Sequence, residues 1–202
     1  MNKKYELTSD AVPINGGIVY RIRALRDFKN AKAGDLGGYI RCKNNLNQEG
    51  DCWVTEDAMV SGNALVYENA LISETAWVSG DAHVCGDAEV YENASVYENA
   101  HVYGNSRIYG NAQLLANASV YEDAHVFGNA MVYGQTQIYG NARVTGNAHI
   151  CGKAEVCGTA QVYNDLYGKI KLDSGIWIRV ICINNQYYLI STSLKKLLLD
   201  NR

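Results

Sequence analysis

A hydrophobic residue recurs every six positions across more than half of the chain. Starting at Val54 and ending at Val162, all nineteen positions in this phase are Val, Ile or Leu. Four residues after each of the first eighteen stands an alanine, which is replaced only by Ser106 and Thr136. A repeat of this regularity indicates a solenoid, in which every unit adopts the same short structure.

The spacing within one unit predicts a short strand followed by a corner. The alanine and the aliphatic residue two positions later face the same way in an extended strand, whose side chains alternate, so both point inward. The residue between them faces outward. The pairs Gly-Asn, Glu-Asn and Gly-Asp that follow are expected to form the corner, because Gly, Asn and Asp tolerate a positive φ.

The unit, for example Val102–Arg107, resembles the hexapeptide repeat of left-handed parallel β-helix proteins. In that family three units make one triangular coil. The resemblance therefore implies an all-β, left-handed parallel β-helix of about six coils, although a right-handed crossover is the usual connection between parallel strands. Coils of this kind stack at about 4.8 Å.

The segment before the repeat carries a second resemblance. Its residues are Phe28, Ala33-Gly34, Gly37-Gly38, Leu46, Gln48 and the run Gly50–Val54. They are similar to the start of the β-helix in YdcK-like proteins, an uncharacterised group with a provisional transferase label. The similarity covers about residues 25–70, with weaker repeat-level similarity beyond. It implies the fold and says little about activity.

Both ends of a solenoid expose a sheet edge and an apolar layer, so caps are expected. We predict an N-terminal cap in residues 1–44, which includes one strand, Ile18–Leu25. The β-helix is expected over residues 45–163, and a separate C-terminal segment over residues 164–202.

The C-terminal segment predicts a β-hairpin and a short helix. Its strands are Lys169–Ile183 and Gln186–Ser191, and its helix is Leu194–Asp200, capped by Ser193. The segment also contains an apolar cluster that a small hairpin cannot bury alone, namely Ile176, Trp177, Ile178, Val180 and Ile183. This cluster either caps the last coil or forms a subunit interface in a homo-oligomer.

Charge is unevenly distributed along the chain. Residues 54–163 carry only three Lys and Arg residues against twelve acids, a net charge of −9, whereas the segments on either side are basic. An acidic rod repels a phosphate backbone, because affinity for nucleic acids comes largely from Lys and Arg. The composition therefore argues against direct nucleic-acid binding by the repeat.

Six cysteines contribute no recognisable metal site. Cys151 and Cys157 are one repeat apart, and no Cys-x-x-Cys motif is present. We interpret the cysteines as free thiols in a reducing compartment, which predicts a cytoplasmic protein. No apolar run follows Lys3-Lys4, and no stretch approaches the roughly eighteen apolar residues of a membrane span, so neither secretion nor a membrane is expected.

The residue after each aliphatic position is usually aromatic. Positions eighteen apart share one side of a triangular coil, which predicts the columns Tyr91-Tyr109-Phe127, Tyr103-Tyr121-Tyr139 and Tyr97-Leu115-Tyr133. Exposed aromatic rows mark interaction sites, since tyrosine combines an apolar ring with a polar tip. The same rings could instead stack across coils and stabilise the sheets. Both interpretations stay open.

Four histidines, His83, His101, His125 and His149, share the outward strand position. The resemblance to hexapeptide-repeat acyltransferases implies an outward histidine as general base, with acyl-CoA held between subunits of a trimer. His101 is the candidate for that role. Those enzymes interrupt their repeat with a loop that helps to build the site, and this repeat has no such insertion, which favours solvated surface histidines.

Taken together, the sequence favours a non-catalytic binding or scaffold protein without a cofactor. It would be a homo-oligomer, dimer or trimer, that presents acidic, tyrosine-rich faces to a protein partner. A compact solenoid without loops would suit a structural part of a phage or mobile element, or an inhibitor of a host system. The alternative is a trimeric hexapeptide-repeat acyltransferase that uses acyl-CoA.

Overall fold

The six-residue repeat becomes a series of two-residue strands, each ending on the aliphatic residue that defines the repeat. A computed structural model describes residues 3–163, 165, 166, 171, 172, 177–183 and 186–191 of the chain. Three longer strands and a 3-10 helix precede the repeat, in the order β1 (Tyr5–Ile14), β2 (Gly17–Ala24), β3 (Leu36–Ile40) and the 3-10 helix (Lys43–Asn45).

The strands of the repeat are β4 (Trp53–Val54), β5 (Met59–Val60), β6 (Leu65–Val66), β7 (Leu71–Ile72), β8 (Trp77–Val78), β9 (His83–Val84), β10 (Glu89–Val90), β11 (Ser95–Val96), β12 (His101–Val102), β13 (Arg107–Ile108), β14 (Gln113–Leu114), β15 (Ser119–Val120), β16 (His125–Val126), β17 (Met131–Val132), β18 (Gln137–Ile138), β19 (Arg143–Val144), β20 (His149–Ile150), β21 (Glu155–Val156) and β22 (Gln161–Val162). They are followed by β23 (Lys171–Leu172), β24 (Trp177–Ile183) and β25 (Gln186–Ser191).

Every third strand joins the same sheet, so the chain winds around three parallel sheets. Val90, for example, lies opposite Ile72 on one side and Ile108 on the other. We name the sheets by their first repeat strand: the β4 sheet (β25-β24-β22-β19-β16-β13-β10-β7-β4), the β5 sheet (β1-β2-β3-β5-β8-β11-β14-β17-β20) and the β6 sheet (β23-β21-β18-β15-β12-β9-β6).

This arrangement confirms the predicted all-β parallel solenoid. It has about seven turns, as the seven strands of the β6 sheet indicate, rather than the six expected from the repeat alone. The additional turn comes from segments outside the repeat: β3 pairs in parallel with β5, and β23 pairs in parallel with β21. The hand of the solenoid stays a prediction.

The core is a narrow column of aliphatic residues and alanines. All nineteen aliphatic repeat residues are at most 1% exposed, and the alanines that follow them are fully buried. Where Ser106 and Thr136 replace alanine, the buried hydroxyl donates a hydrogen bond within its own corner, to Tyr103 O and Tyr133 O respectively, both at 2.8 Å. The polar atoms are therefore satisfied, as burial requires.

The corners adopt tight turns in which the first central residue has a positive φ. In the corner Tyr67–Ala70, Ala70 N donates to Tyr67 O, and Glu68 has a φ of 59°. Because the following Asn69 is not in the positive-φ region, the geometry matches a type II′ turn. The positive φ thus falls on the first residue of each pair, which is Gly or Glu except at Ala116, and not on the Asn or Asp that the sequence also suggested.

Glutamates at these corners carry an unfavourable backbone conformation, and several compensate for it with a hydrogen bond. A positive φ is uncommon for residues other than glycine, Asn and Asp. Four of the glutamate carboxylates accept a hydrogen bond from the corner amide of the next coil, at 2.6 to 2.8 Å; the pairs are Glu56 with Glu74 N, Glu68 with Gly86 N, Glu98 with Ala116 N and Glu122 with Gly140 N.

Asparagines at the second central position form side-chain ladders along the corners. After the β4 sheet the ladder runs through Thr75, Asn93, Asn111, Asn129 and Asn147, with side-chain distances of 2.7 to 3.2 Å. The hydroxyl of Thr75 and the amides of Asn93, Asn111 and Asn129 each donate to the side chain one coil further on. Because every rung repeats the same contact, the ladder reinforces the register that the backbone sets.

The segment before the repeat packs against the first coil. β1 and β2 form an antiparallel hairpin, and β2 continues antiparallel to β3. The sequence predicted one strand here and missed Tyr5–Ile14, whose many polar residues hide the pattern. Gly37 and Gly38 lie so close to the coil that a Cβ atom would come within 2.6 Å of Val54 O and 2.5 Å of Ala58 O.

The C-terminal strands extend two of the sheets. β24 pairs in parallel with β22 and antiparallel with β25, so the predicted strand Lys169–Ile183 is divided between β23 and β24 in different sheets. Trp177 lies opposite Gln161, and Ile178 lies opposite Val162. Ile176 and the predicted helix Leu194–Asp200 lie outside the described residues. In the described part of the chain, no helix is long and apolar enough to cross a membrane.

We predict that Glu122→Ala lowers the free energy of unfolding by about 1 kcal/mol, because a charge-assisted hydrogen bond to Gly140 N is lost while the positive φ remains. Glu92→Ala is the matched control: Glu92 has a φ of 57°, but its side chain makes no such bond among the described residues. Urea unfolding of both variants measures the difference. Equal losses would mean that the carboxylate–amide bond contributes nothing.

Candidate functional site

Each corner begins with the residue that follows a core aliphatic position, and these residues form three columns. The Tyr109 column, after the β4 sheet, contains Tyr91, Tyr109 and Phe127; the Tyr121 column, after the β6 sheet, contains Tyr103, Tyr121 and Tyr139; the Tyr97 column, after the β5 sheet, contains Tyr97, Leu115 and Tyr133. The structure therefore places the predicted aromatic residues together as the sequence arranged them.

The rings of the first two columns are stacked face to face. In the Tyr109 column, the ring centroids of Tyr91 and Tyr109 are 4.9 Å apart, and those of Tyr109 and Phe127 are 4.8 Å apart. In the Tyr121 column, the corresponding separations are 4.9 Å and 5.0 Å. All four pairs are parallel to within 4°. The stacking of each ring on the next makes both columns rigid.

The Tyr97 column differs because Leu115 separates its two tyrosines. Tyr97 Oη donates to Gln113 Oε1 at 3.3 Å, and Tyr121 Oη makes the same bond to Gln137 Oε1 at 3.3 Å. Tyr133 is instead hydrogen-bonded with Cys151. Tyr97 and Tyr121 thus occupy the same position of the repeat, and the hydroxyl group of each donates to a glutamine. They differ in that only Tyr121 has stacked neighbours among the described residues.

Stacking leaves the edges and tips of the rings, more than their faces, at the surface. Tyr103, at the end of its stack, is 38% exposed, whereas Tyr121 and Tyr109 in the middle are half-buried. The columns are therefore not open aromatic platforms on which another ring could lie flat. They offer rows of hydroxyl groups and ring edges.

Burial makes several of these hydroxyl groups harder to deprotonate. It raises the pKa of Tyr121 to about 12, with further contributions from the neighbouring Tyr103 and Tyr139 and from Glu122 and Glu155. Burial also raises the pKa of Tyr103 and of Tyr109. Near neutral pH the rows consequently act as neutral hydrogen-bonding groups.

The two stacked columns differ in the charges that surround them. Glu122 and Glu155 act on Tyr121, whereas Arg143 and Arg107 act on Tyr109 and oppose the effect of Glu92. Arg107 Nε also pairs with Glu89 Oε2 at 3.0 Å. The Tyr121 column is therefore the more acidic of the two.

The histidines lie on the outer faces of the sheets. His101 is exposed, and its ring centroid is 5.1 Å from that of His83 on the neighbouring coil. Partial burial, followed by the charge of His83, lowers the pKa of His101. No side-chain hydrogen bond orients either imidazole within the part of the chain that the structure describes.

A groove lies beside His83 at the N-terminal end of the β6 sheet. Its volume is about 490 Å³ and its walls come from the 3-10 helix and the first coils: Lys43, Asn44, Leu46, Asn47, Gln48, Leu65, Val66, Tyr67 and His83. Asn45 fixes the 3-10 helix there, since its Nδ2 donates to Gly62 O and Ala64 O at 3.2 and 2.9 Å. Grooves with an apolar floor and a few polar groups are the usual places for small ligands.

The groove changes which histidine is better placed for chemistry. His83 lines it, whereas His101, the residue nominated from sequence, lies one coil further along the β6 sheet. The wall of the groove opposite His83 is formed by residues that precede the repeat. The six-residue periodicity therefore could not predict the groove. Among the described residues, no cluster of three or more His, Cys, Asp or Glu side chains could hold a metal ion.

We predict that Tyr121→Leu lowers the free energy of unfolding more than Tyr97→Leu, by about 1–3 kcal/mol, because Tyr121 loses two stacked neighbours and Tyr97 loses none. Both substitutions remove a hydroxyl bond to a glutamine, so the comparison isolates stacking. Urea unfolding provides the measurement. Equal destabilisation would show that the stacks do not stabilise the solenoid.

Alkaline pH should weaken the fold through Tyr121. Its pKa of about 12 in the folded chain exceeds the ordinary value near 10, so the folded state retains the proton longer than the unfolded state. The resulting stability is fully present below about pH 10 and is lost as the pH rises from there to about 12. The difference in unfolding free energy between wild type and Tyr121→Phe should therefore shift steadily over this range. A constant difference would contradict the raised pKa.

One comparison with known proteins bears on the repeat. A family model described as the YdcK β-solenoid repeat matches residues 137–152, which span β18, β19 and β20. No curated protein matches the chain in sequence. Together with the three-sheet fold, the match shows that the chain is similar to YdcK-like solenoid proteins in its repeat.

Proposed function

We propose that this chain is a non-catalytic binding protein whose Tyr121 column contacts a protein partner. The observation that carries the proposal is a continuous stack of three tyrosine rings whose hydroxyl groups lie near carboxylates. Tyrosine is enriched at protein interfaces because one side chain supplies both apolar contact and a hydrogen bond.

Rigidity supports this role. Binding does not have to order the side chains of the column, since stacking already fixes Tyr103, Tyr121 and Tyr139. Immobilising a flexible side chain on binding costs about 0.5–1.5 kcal/mol. A pre-stacked row avoids most of that cost.

The charge of the surface suggests the chemistry of the partner. Residues 54–163 carry a net charge of −9, and Glu122 and Glu155 lie close enough to Tyr121 to raise its pKa. A protein segment rich in Arg or Lys would complement this surface, since opposite charges across an interface orient the two partners and favour their association.

The test is affinity capture with tyrosine-to-phenylalanine variants, which remove the hydroxyl groups and preserve the rings. Phe127 already occupies an equivalent position in the Tyr109 column, so phenylalanine fits a stack. We expect the triple variant at Tyr103, Tyr121 and Tyr139 to weaken retention of at least one cellular protein by roughly tenfold, from the loss of interfacial hydrogen bonds. Quantitative mass spectrometry identifies that protein, and titration with the purified partner measures its Kd.

The matched control is the double variant Tyr91→Phe and Tyr109→Phe, which changes the stacked column that lies beside arginines. It should retain the partner at the wild-type level, as should His101→Ala. The proposal is wrong if no protein is retained less by the triple variant than by the control, or if the control loses the same protein.

A trimeric acyltransferase is the second candidate, and the groove beside His83 favours it. An imidazole that lines a groove of about 490 Å³ could act as a general base toward an acceptor hydroxyl or amine. The resemblance of the repeat to hexapeptide acyltransferases points to acyl-CoA as the donor. Release of free thiol from acyl-CoA, abolished by His83→Ala or His101→Ala and unaffected by the tyrosine variants, would establish this function instead of the first.

We also propose a cytoplasmic homo-oligomer of phage or mobile-element origin. The free cysteines Cys42, Cys52, Cys85, Cys151 and Cys157 are compatible with a reducing compartment. Light scattering coupled to size exclusion gives the subunit number. The Phe variants of the Tyr121 column should leave the subunit number unchanged, because we propose that this column contacts a different protein and not another subunit.

A further inference from the structure

The most unusual ionisable group in the described residues is Lys4, the one fully buried charged side chain there. It lies where the first residues of the chain meet the start of the solenoid. Lysine is almost never fully buried unless it has partners, because its ammonium group loses its hydration. The surroundings of Lys4 Nζ therefore decide what this residue does.

A cage of backbone carbonyls holds the nitrogen of Lys4. Nζ donates to Glu49 O at 3.3 Å, to Gly50 O at 3.4 Å and to Cys52 O at 3.0 Å. The ring of Phe28 lies 5.5 Å away on another side. These contacts fix the position of the nitrogen within the protein interior.

The same nitrogen lies 3.1 Å from the sulfur of Cys52. Cys52 is fully buried and is not part of a disulfide. Burial lowers the pKa of Lys4 and raises the pKa of Cys52, so both charged forms are disfavoured. The nitrogen of Lys4 and the sulfur of Cys52, which become nucleophiles when they lose a proton, are held in contact away from bulk water.

We propose that Lys4 and Cys52 form a covalent nitrogen–oxygen–sulfur bridge when the protein is oxidised. The bridge joins Nζ to Sγ through a single oxygen atom. It needs both nucleophiles to be fixed side by side, which the carbonyl cage achieves, and it links residue 4 covalently to the first coil.

Dioxygen is the oxidant, and the reaction balances without another reagent. The amine and the thiol lose one hydrogen each, an N–O and an O–S bond form, and the O–O bond breaks. One oxygen atom of dioxygen enters the bridge and the other leaves as water with the two hydrogens. Dithiothreitol reverses the step: two molecules of the dithiol supply four hydrogens, which regenerate the amine and the thiol and release the bridging oxygen as water.

The bridge would stabilise the N-terminal end of the solenoid. A solenoid frays from its ends, because the terminal coils have neighbours on one side only. Tyr5, next to Lys4, is fully buried and donates from its hydroxyl to Leu46 O at 2.7 Å, so this strand covers the first coil. A link at residue 4 would keep that cover in place under oxidative conditions.

The test is mass spectrometry of the full chain before and after exposure to air-saturated buffer. The protein is then denatured, its free thiols are blocked with iodoacetamide, and it is digested with a protease that does not cut after lysine. We expect a peptide pair joining Lys4 to Cys52, heavier than its unmodified parts by about 14 Da, the mass of one oxygen less two hydrogens. Dithiothreitol should abolish it and make Cys52 alkylatable, and the thermal midpoint should fall at the same time.

Cys157 is the internal control. It is also buried, at 4% exposure, but its sulfur donates to the carbonyl of Leu172 at 3.2 Å instead of facing an amine. It should remain alkylatable throughout. Lys4→Met and Cys52→Ser should each lack the cross-linked peptide pair. If either variant fails to fold, the mass of the peptide pair from the wild-type protein is sufficient to test the proposal. Cys52 that stays fully alkylatable, a gain of oxygen on Cys52 without a link, or a direct sulfur–nitrogen link without oxygen would each overturn the proposal.

Discussion

The backbone hydrogen bonds between successive coils determine where every side chain of the solenoid lies. The amide of Tyr121 donates to the carbonyl of Ile138, and that of His101 donates to the carbonyl of Ala118, at 3.0 and 2.9 Å. Repeated along the three sheets, these bonds hold residues eighteen positions apart at the spacing of neighbouring strands, about 4.8 Å. Any side chain on the repeat therefore has its counterpart one coil away as its nearest neighbour.

That constraint favours side chains that interact well with copies of themselves. Stacked aromatic rings fit it, because their preferred separation is close to the coil spacing; the observed 4.8 to 5.0 Å confirms the match. Asparagine ladders fit it because an amide both donates and accepts. Like charges fit it poorly, and the corner glutamates avoid direct repulsion where their carboxylates bind backbone amides instead, as Glu122 does.

The sequence predicted what the repeat controls and missed what depends on contacts outside it. Nineteen aliphatic positions in one phase were enough to predict the core. The resemblance to hexapeptide-repeat proteins implied the parallel sheets and, through three units per coil, the membership of the aromatic columns. The strand Tyr5–Ile14 was missed, since its alternation is obscured by Thr8, Ser9 and Asp10. The pairing of Lys4 with Cys52 links residues forty-eight apart, and no local pattern indicates it.

The stacking that makes the Tyr121 column rigid also limits how a partner can bind it. Because neighbouring rings cover much of each face, a partner gains less from apolar contact than isolated tyrosines would allow. Affinity must then come largely from hydroxyl groups and carboxylates at the ring edges, which are directional and partly ionic. Exposed ionic contacts are screened by salt. Binding by this surface should consequently depend on ionic strength, and its specificity should lie in the spacing of donors along the rod rather than in a hydrophobic pocket.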